Sequence, residues 1–538
     1  MIEIDQKQSL NHIEIEEEEA TMQQLRSKAT EFLLTEKWNE SIQAYTQFIT
    51  LCHEKESNPN SKYRKPLCLA LSNRAEARLR LKEYDEALKD CEEALLIDSS
   101  HFKTLVCKGN ILVNLNKYSL GLDCFKNALL VCDSSNGNLD MLNGLIEKCK
   151  KLNYVSKTGN FDVSDWITSG FNGKCPELGE FVGCVEIKRS EISGRGLFST
   201  KNVDVGSLIL VTKSVATERC ILPNKGNFGE TAQLIMWENF IAKVNESATK
   251  CLKTRHLIGL LSTGENEDDL EIPEISEFKA ESLGGKDIDS KKVEMEKILS
   301  VLDVNSLVED AVSAKVLGKN RDYYGVGLWL IPSFINHSCV PNVRRLHIGD
   351  YVIVLASREV KAGEEFTVGY YDVLSPLNKR KEMAKSWGFQ CRCKRCKHEE
   401  QIQCKPEFGE IELGLEKEVD AGCTVFRLEE CMRRCSIRGK DKGYLRASFW
   451  KAISKAYESE KTVRRWGRKI PALEPIVESL VDAVGSDERV VKVLVRKMKK
   501  FGGGFGEMER AIKLGRGVYG KVMKKQALRI LLEFGVNE

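Results

Sequence analysis

Three groups of side chains that can do chemistry lie close together in the stretch 325–396. The run NHSC (336–339) offers hydrogen-bonding and metal-binding groups directly after an apolar segment, and YYD (370–372) ends a strand-like alternation. The segment CRCKRC (391–396) holds three thiols at the CxCxxC spacing that is typical of metal ligands. We therefore expect this stretch to be the chemical centre of the protein, with the remainder serving as scaffold, lid or partner-binding surface.

Length and composition limit the classes of protein that the chain can belong to. With 538 residues it is too long for one hydrophobic core, which predicts about two to four domains. The net charge of +3 favours neither nucleic acid nor a membrane surface as a partner, and the longest apolar run is interrupted by Pro332, so we expect no membrane span. The amino terminus is acidic and shows no signal pattern, which indicates that the 19 cysteines are reduced intracellular thiols with a candidate metal site among them.

A repeat of 34 residues follows an acidic tail of residues 1–20. Small residues recur at one position and aromatic residues at another, as in the pairs Ala75 and Gly109, and Tyr84 and Tyr118. Ala29 and Trp38 occupy the same places one repeat earlier, offset by a 12-residue polar insertion. Small residues let paired helices approach and aromatic residues fill the gap between them, a pattern typical of tetratricopeptide repeats. We predict such repeats over 21–155, with a capping helix near 140–155.

The groove of a tetratricopeptide array usually binds a peptide. These repeats resemble those that clamp the C-terminal carboxylate of chaperones with basic and Asn side chains. Asn73, Lys103 and Arg26 occupy compatible places, whereas Thr30 and Cys107 depart from the Asn and Arg of that pattern. Two interpretations remain open, a peptide partner in the groove or a packing platform against the next domain.

Strand-like sequence begins near residue 181, after a linker over 156–180 without a regular hydrophobic period. Two strand-like runs flank the turn Gly194-Arg195-Gly196, where glycine allows the backbone to approach a ligand closely. Residues 213–320 read as an insertion of helices around an acidic loop. Its metal-binding residue types are too few for a second zinc module, and we expect them to be core or surface residues: Cys220, Cys251 and His256.

In combination, these motifs resemble a SET-domain protein methyltransferase. The resemblance covers residues 182–400 and rests on GRGLFS (194–199), NHSCVPN (336–342) and GEEFTVGYYD (363–372), followed by the cysteine-rich tail. Within the family the chain is most similar to the SET-and-MYND (SMYD) branch, in which a GVGL segment precedes NHSC at the same distance. The sequence departs from that branch because it has no MYND zinc module and carries N-terminal tetratricopeptide (TPR) repeats instead.

The resemblance implies a multidomain α+β protein. A mostly β SET domain would occupy 181–375, interrupted by the insertion, and a post-SET zinc segment would occupy 376–400. Residues 401–538 predict a C-terminal α-helical domain, which walls the substrate cleft in related proteins. Apolar residues fall there at helical spacing and mark a core face: Leu445, Phe449, Ala452, Ile453, Ala456 and Tyr457. Glycines are expected to separate its helical segments: Gly443, Gly485 and 502–504.

The resemblance also implies how S-adenosylmethionine would be held. Asn336 would hold the cofactor through its side chain and His337 mainly through its backbone. The glycine turn would approach the methionine part of the cofactor through Gly194, Arg195 and Gly196. Phe389 aligns with the aromatic residue that stacks near adenine.

Three aromatic residues are expected at the place of reaction. Tyr370 aligns with the catalytic tyrosine of the family, whose hydroxyl orients the lysine amine and the methyl group beside the cofactor. Trp387 stands where a wall of the lysine channel is expected. Tyr371 would point to the opposite face from Tyr370 if the strand were regular, and it is either core or channel wall.

Cys391, Cys393 and Cys396 supply three thiolates, whereas tetrahedral zinc needs four ligands. In the arrangement of the family the fourth ligand is Cys339, which would tie the post-SET segment over the cofactor site. His398 and Cys404 remain alternatives for that fourth place.

We predict an S-adenosylmethionine-dependent protein-lysine N-methyltransferase that binds Zn²⁺ and acts on lysines of histone or non-histone proteins. The alternative is a non-catalytic TPR adaptor with a degenerate SET scaffold. Four residues that a degenerate scaffold could lose are present and favour the enzyme: Asn336, His337, Tyr370 and Phe389. We expect no direct binding of nucleic acid or membrane, and a location in the cytoplasm, the nucleus or both.

Overall fold

The computed structural model describes residues 19–55, 62–132, 136–165, 177–221, 227–265, 270–279, 294–309, 323–402, 405–416, 420–502 and 505–534. The protein is multidomain α+β, with N-terminal helices, a central region of strands and a C-terminal helical region, which confirms the predicted fold class. The chain folds into two compact units, and the first unit holds the described residues up to 157 together with 245–259.

The first unit begins with consecutive helices. They are 19–34 (α1), Trp38–Lys55 (α2), Arg64–Arg80 (α3), Tyr84–Ile97 (α4), Phe102–Asn114 (α5), Tyr118–Leu130 (α6) and Asn136–Thr158 (α7). Helices α1 to α6 form three successive pairs, and α7 stands where the capping helix is predicted. The predicted insertion falls between α2 and α3, and its residues 56–61 lie outside the described residues.

The small residues of the repeat lie where helices touch. Ala75, Ala94 and Ala128 are fully buried. A Cβ atom on Gly109 in α5 would lie 2.4 Å from the ring of Phe125 in α6. A larger side chain there would force the two helices apart, so the 34-residue period of small residues follows from close helix packing.

The second unit contains several small sheets. Phe181–Val182 (β1), Leu208–Lys213 (β4), Tyr351–Ala356 (β10) and Val343–Ile348 (β9) form an antiparallel sheet in the order β1-β4-β10-β9. Val185–Arg189 (β2) pairs with Arg195–Ser199 (β3). Ala216–Ile221 (β5) and Leu307–Val308 (β6) both pair with Tyr323–Leu328 (β7). Asn336–His337 (β8) and Thr367–Val368 (β11) form a parallel pair.

Helices of the second unit lie in the insertion and after residue 376. The insertion holds Asn227–Lys250 (α8), Leu252–Gly259 (α9) and Met295–Asn305 (α10), with a 3₁₀ turn at Ile275–Phe278; α9 and the end of α8 fall in the first unit. The later helices are Leu377–Ser386 (α11), Lys394–Gln401 (α12), Lys405–Glu416 (α13), Ala421–Arg434 (α14), Lys440–Ser448 (α15), Trp450–Glu458 (α16), Glu460–Trp466 (α17), Leu473–Val484 (α18), Glu488–Phe501 (α19), Phe505–Tyr519 (α20) and Lys525–Phe534 (α21).

Strand β10 is covered on both faces. All six of its residues, YVIVLA, are buried, and α20 packs against it. A Cβ atom on Gly520, just after α20, would lie 2.6 Å from the side chain of Leu355. A continuous apolar run is what a strand needs when neither face meets water, and it anchors the sheet to the C-terminal helices.

The C-terminal region is helical, and the predicted core face is buried at all six positions. That face belongs to two helices, because the chain breaks at Phe449 between α15 and α16. Gly485 and Gly502 end α18 and α19 with φ of 78° and 76°. The prediction that Gly443 separates segments is wrong: it lies inside α15, where a Cβ atom would stand 2.1 Å from the carbonyl oxygen of Ser479. In the part of the chain that the structure describes, no helix is both long and apolar enough to cross a bilayer.

Candidate functional site

Two short strands bring the NHSC run beside the tyrosine segment. In the parallel pair of β8 and β11, Asn336 stands opposite Thr367 and His337 opposite Val368. Asn342 closes the crossing, because its Oδ1 accepts from Thr367 N at 2.7 Å and its Nδ2 donates to the Glu365 carbonyl oxygen at 2.8 Å. Residues that are distant in sequence therefore lie together at one point of the molecule.

The side-chain amide of Asn336 faces the glycine turn. Its Nδ2 donates to the carbonyl oxygens of Ser193 and Arg195, both at 3.1 Å, and to Oε1 of Glu365 at 2.8 Å. A Cβ atom on Gly196 would lie 2.3 Å from the same Glu365 oxygen, so a larger residue there would displace the Glu365 side chain. Gly194 has a φ of 45°, in the left-handed region. The structure thus joins the two segments that the sequence analysis assigns to the cofactor.

The guanidinium of Arg195 points into the protein. It donates to the carbonyl oxygens of Leu260 at 2.8 Å and Glu271 at 3.0 Å, and it lies over the ring of Phe334. Arg195 is 6% exposed. Its side chain therefore holds the insertion in place, and its backbone is the part that faces Asn336.

Tyr370 lies in a cluster of aromatic rings. Its hydroxyl donates to the carbonyl oxygen of Ile335 at 2.9 Å, and its backbone N–H donates to Nδ1 of His337 at 3.0 Å. The ring centroids of His337, Trp387 and Phe389 lie 5.4, 5.3 and 6.1 Å from that of Tyr370. Burial raises the pKa of Tyr370 to about 12. The hydroxyl is therefore protonated at neutral pH and acts as a hydrogen-bond donor, not as a base.

The two predicted channel residues lie in different places. Trp387 follows α11, is 47% exposed and contacts Tyr370. Tyr371 stacks on His337 at 4.3 Å, and its hydroxyl lies 3.5 Å from Sγ of Cys339. The alternation argument does not apply to Tyr371, because β11 ends at Val368 and the backbone bends at the tyrosines. The geometry places Tyr371 beside the thiols, on the far side of His337.

Four thiols converge beneath this aromatic cluster. The Sγ atoms of Cys339, Cys391, Cys393 and Cys396 all lie within 4.8 Å of one another. Sγ of Cys339 lies 3.8 Å from that of Cys391 and 3.6 Å from that of Cys396. Tetrahedral zinc with Zn–S bonds of about 2.3 Å holds its sulfur ligands about 3.8 Å apart, so the donor set fits Zn²⁺.

The neighbouring groups favour a thiolate at Cys339. Hydrogen bonding with Cys391 first, then with the other two cysteines, lowers the pKa of Cys339. Of the two alternative ligands, His398 instead faces Asp441, with Nδ1 3.5 Å from its carboxylate. Cys404 lies outside the described residues.

Two buried arginines support the cysteine cluster, and the sequence analysis did not identify them. The side chains of Arg380 and Arg395 are 0% exposed and share the carboxylate of Glu399 at 2.5 and 2.7 Å. Arg380 also donates to Sγ of Cys396 at 3.0 Å. Arg395 donates to Ser448 Oγ in α15 at 2.8 Å and to the Val373 carbonyl oxygen at 2.6 Å. The arginines thus link residues 376–400 to the tyrosine segment and to the C-terminal helices.

A cavity of about 250 Å³ lies against the same cluster. Tyr371, Phe389 and Cys391 line one part of it, and residues of α11, among them Ala384 and Lys385, line another. Phe389, the predicted adenine neighbour, is therefore at the surface of an open space, within ring contact of both Tyr370 and Tyr371.

The sequence is similar to known proteins in two regions. Residues 194–371 match the SET domain, and residues 68–101 match the tetratricopeptide repeat. A protein of Gibberella zeae named "Methyltransferase" is 26% identical over 392 residues, 69% of this chain and 51% of that protein. The histone-lysine N-methyltransferase SMYD3 of Mus musculus is 41% identical over 73 residues, 13% of this chain and 17% of that protein. The chain thus spans about half of the first relative and less than a quarter of the second.

Among solved structures, the TPR2B domain of yeast Sti1 in complex with an Hsp70 peptide is 20% identical. The similarity spans 24% of this chain and 96% of the Sti1 domain, with a TM-score of 0.21.

Proposed function

Because the chain combines a SET domain with tetratricopeptide repeats, we propose that it is an S-adenosylmethionine-dependent protein-lysine N-methyltransferase. The observation that carries this proposal is the environment of Tyr370. Its protonated hydroxyl is held on the Ile335 carbonyl oxygen, and its ring lies against His337, Trp387 and Phe389. Because its proton is donated to Ile335, the hydroxyl oxygen can accept an N–H bond from an uncharged amine, which orients the amine and leaves its lone pair free.

The residues around Asn336 fit the amino-acid part of the cofactor. The carbonyl oxygens of Ser193 and Arg195 and the carboxylate of Glu365 gather there with the amide. Carbonyl oxygens, each with a second lone pair, suit an ammonium group, and Phe389 offers an aromatic face for a base. When bound, S-adenosylmethionine supplies a methyl group on a cationic sulfur.

The chain itself would favour the neutral form of the substrate lysine. Free lysine has a pKa of ~10.4, so most of it is charged at neutral pH. The rings around Tyr370 exclude water and disfavour the ammonium form, while the hydroxyl orients the nitrogen. Methyl transfer is an in-line displacement, so positioning of this kind supplies much of the rate enhancement.

Replacement of Tyr370 tests the enzymatic proposal. We expect Tyr370→Phe to reduce transfer of radiolabelled methyl groups to a protein extract by about 100-fold, because the hydroxyl that orients the amine is lost. Tyr351→Phe, at a buried tyrosine of β10, serves as the control and should retain activity. Equal activity of wild type and Tyr370→Phe, or no transfer by a wild type that also fails to bind the cofactor, would contradict the proposal.

A non-catalytic adaptor is the second candidate. In that case the repeats would bind a partner and the SET region would be a degenerate scaffold. The contacts of Asn336 and Tyr370 favour the enzyme, since a scaffold needs neither a fixed amide nor an oriented hydroxyl. Binding of S-adenosylhomocysteine, measured by calorimetry, separates the two candidates: an adaptor would not bind it.

We also propose that Cys339, Cys391, Cys393 and Cys396 hold one Zn²⁺. Metal analysis of the purified protein should find about one zinc per chain, and each Cys→Ser replacement should lower this content. Removal by a chelator should expose backbone amides of the post-SET segment to hydrogen exchange, because structural zinc contributes on the order of 10 kcal/mol to small modules. Unchanged exchange after complete metal removal would contradict a structural role.

The substrate in this proposal is a protein that presents a lysine, and the repeats would bind a second peptide segment. Side chains of α1, α2, α3 and α5 form a connected polar network in the first unit. Asn73 Nδ2 donates to Tyr45 Oη at 2.9 Å, and Lys103 Nζ donates to Asn73 Oδ1 at 2.7 Å. Thr30 bonds the same Tyr45 hydroxyl at 3.0 Å, whereas Cys107 is buried in the core. A lysine beside amide and hydroxyl groups suits an anionic peptide group.

A further inference from the structure

Glu365 connects three segments of the candidate site. Its Oε1 accepts from Asn336 Nδ2 at 2.8 Å, and each of its carboxylate oxygens lies 2.8 Å from the hydroxyl of Ser190. Ser190 Oγ in turn accepts from the backbone N–H of Ile192 at 2.9 Å, and Ser190 N–H donates to the Gly194 carbonyl oxygen at 2.9 Å. One carboxylate therefore touches both the glycine turn and the amide beside it.

The surroundings of the Glu365 carboxylate disfavour its charged form. Burial raises the pKa of Glu365 above its usual range. Within the described residues, no lysine or arginine lies within ion-pair distance of it, and its partners are the neutral groups of Asn336 and Ser190. Burying an acid without a cationic partner costs stability, and acids held at such a cost are often found at functional sites.

The contacts of Nδ2 determine how the Asn336 amide is oriented. All three of its partners are acceptors, so the NH₂ group must face Glu365 and the two carbonyl oxygens. Two N–H bonds are shared among three acceptors, and the shortest contact is the one to the carboxylate. In the described part of the chain, Oδ1 of Asn336 takes no hydrogen bond, so it remains able to accept one from a ligand.

We propose that Glu365 is a positioning residue for the amino-acid part of the cofactor. By accepting from Nδ2, it fixes the amide of Asn336 with Oδ1 as an acceptor for an ammonium group, and through Ser190 it holds the glycine turn. This inference rests on the proposed use of S-adenosylmethionine and adds a residue that acts through Asn336, not by contact with the reacting atoms.

The test compares two ligands that differ in the amino-acid part. S-adenosylhomocysteine carries the ammonium and carboxylate groups, and methylthioadenosine lacks both. We expect Glu365→Met, which keeps the length of the side chain, to weaken S-adenosylhomocysteine binding at least about tenfold and methylthioadenosine binding less than about twofold, since an acceptor for a buried donor is lost. Calorimetry on the full chain measures both dissociation constants.

Three further variants make the test specific. Glu365→Gln should restore binding to within a few-fold of wild type, because Oε1 can still accept from Asn336 while Nε2 donates to Ser190. Glu359→Met, at an exposed carboxylate of the same segment, is the matched control and should change neither ligand. In an Asn336→Ala background, Glu365→Met should add a smaller loss than it does alone, because only its contact with Ser190 then remains.

The outcomes separate the two proposals. Failure of the wild type to bind either ligand would overturn the proposed function. Binding by the wild type together with an unchanged ratio of the two dissociation constants in Glu365→Met would overturn only the role of Glu365. Equal weakening of both ligands would likewise overturn it, as would full additivity with Asn336→Ala. Circular dichroism and thermal melting of each variant verify that it is folded, and Glu365→Ala, which also removes the acceptor, carries the test if Glu365→Met does not fold.

Discussion

The hydroxyl of Tyr370 has one hydrogen-bond partner and a fixed protonation state. Because burial raises its pKa to about 12, the donor is present over the whole range in which a lysine amine loses its proton. The unperturbed pKa of a tyrosine hydroxyl is lower, at ~10. The pH dependence at this residue is therefore set by the protonation state of the substrate lysine and not by that of Tyr370.

This difference predicts the pH dependence of methyl transfer. At saturating cofactor, the rate with a lysine peptide should rise between about pH 7 and about pH 10, and it should show no decline from Tyr370 within that range. A pH–rate profile of the wild type measures this directly. A decline of the rate with an apparent pKa of ~10 that disappears in Tyr370→Phe would show that the Tyr370 hydroxyl loses its proton in this range, which contradicts the prediction.

Individual site residues could be predicted where they lie within a contiguous sequence motif. Asn336, His337, Tyr370 and the cysteines stand in such motifs, and the structure brings them together, although their roles stay predictions. Glu365 was missed although it lies in GEEF, because two adjacent acids give no sign of which one faces inward. Glu364 turns instead to Arg358. That choice depends on partners in distant segments.

At the scale of elements, α11 and α12 are joined through a buried ion network. Arg380 in α11 pairs with Glu399 in α12, and both side chains are almost completely buried. Lys381 pairs with Glu400 across the same two helices, at 44% and 33% exposure. The two pairs connect the same elements and differ in their contact with water.

Breaking the buried ion pair should therefore lower the free energy of unfolding more than breaking the exposed pair. We expect Arg380→Met to lower the free energy of unfolding by about 3–5 kcal/mol, because Glu399 loses one of its two arginine partners in a dry site. Lys381→Met should lower it by about 0–1 kcal/mol. Urea unfolding of zinc-loaded protein measures both variants, and equal effects would contradict the argument from burial.

Helices were more predictable than strand ends. The apolar spacing around Ile453 identified a buried face, and the 34-residue period identified paired helices. The length of β11 was not predictable, because alternation continues in the sequence beyond Val368 while the backbone bends. Gly443 was wrongly predicted to separate two helices. Glycine occurs both where a helix ends and where two helices pack closely, and the sequence does not distinguish the two cases.

At the scale of the molecule, the chain consists of two compact units with different chemistry. The first offers the polar network of Asn73 and Lys103, and the second offers the Asn336 crossing. Residues 245–259 belong to the first unit although they lie in the predicted SET insertion. Leu252 N–H donates to Asp85 at 3.0 Å, a contact between positions too distant in sequence for a local pattern to reveal.

The network in the first unit predicts selective binding of a peptide with a free terminal carboxylate. Lys103→Glu should weaken such a peptide at least about tenfold, because a charge-assisted contact becomes repulsive. Lys126→Glu, at an exposed lysine beside Asp123, should leave binding unchanged. Fluorescence anisotropy with the free-acid and amidated forms of one peptide measures this. Equal binding of both forms, or none, would favour the packing-platform interpretation.

The parallel pairing of β8 and β11 has a consequence for how the protein assembles. Parallel strands cannot be joined by a tight turn, and here the connection between them contains the β9–β10 hairpin. Contacts across long loops form late, because chain entropy opposes them until other structure has shortened the loop. The β9–β10 hairpin shortens the loop that the crossing at Asn336 has to close. Substitutions that weaken this hairpin should therefore also slow the formation of the crossing.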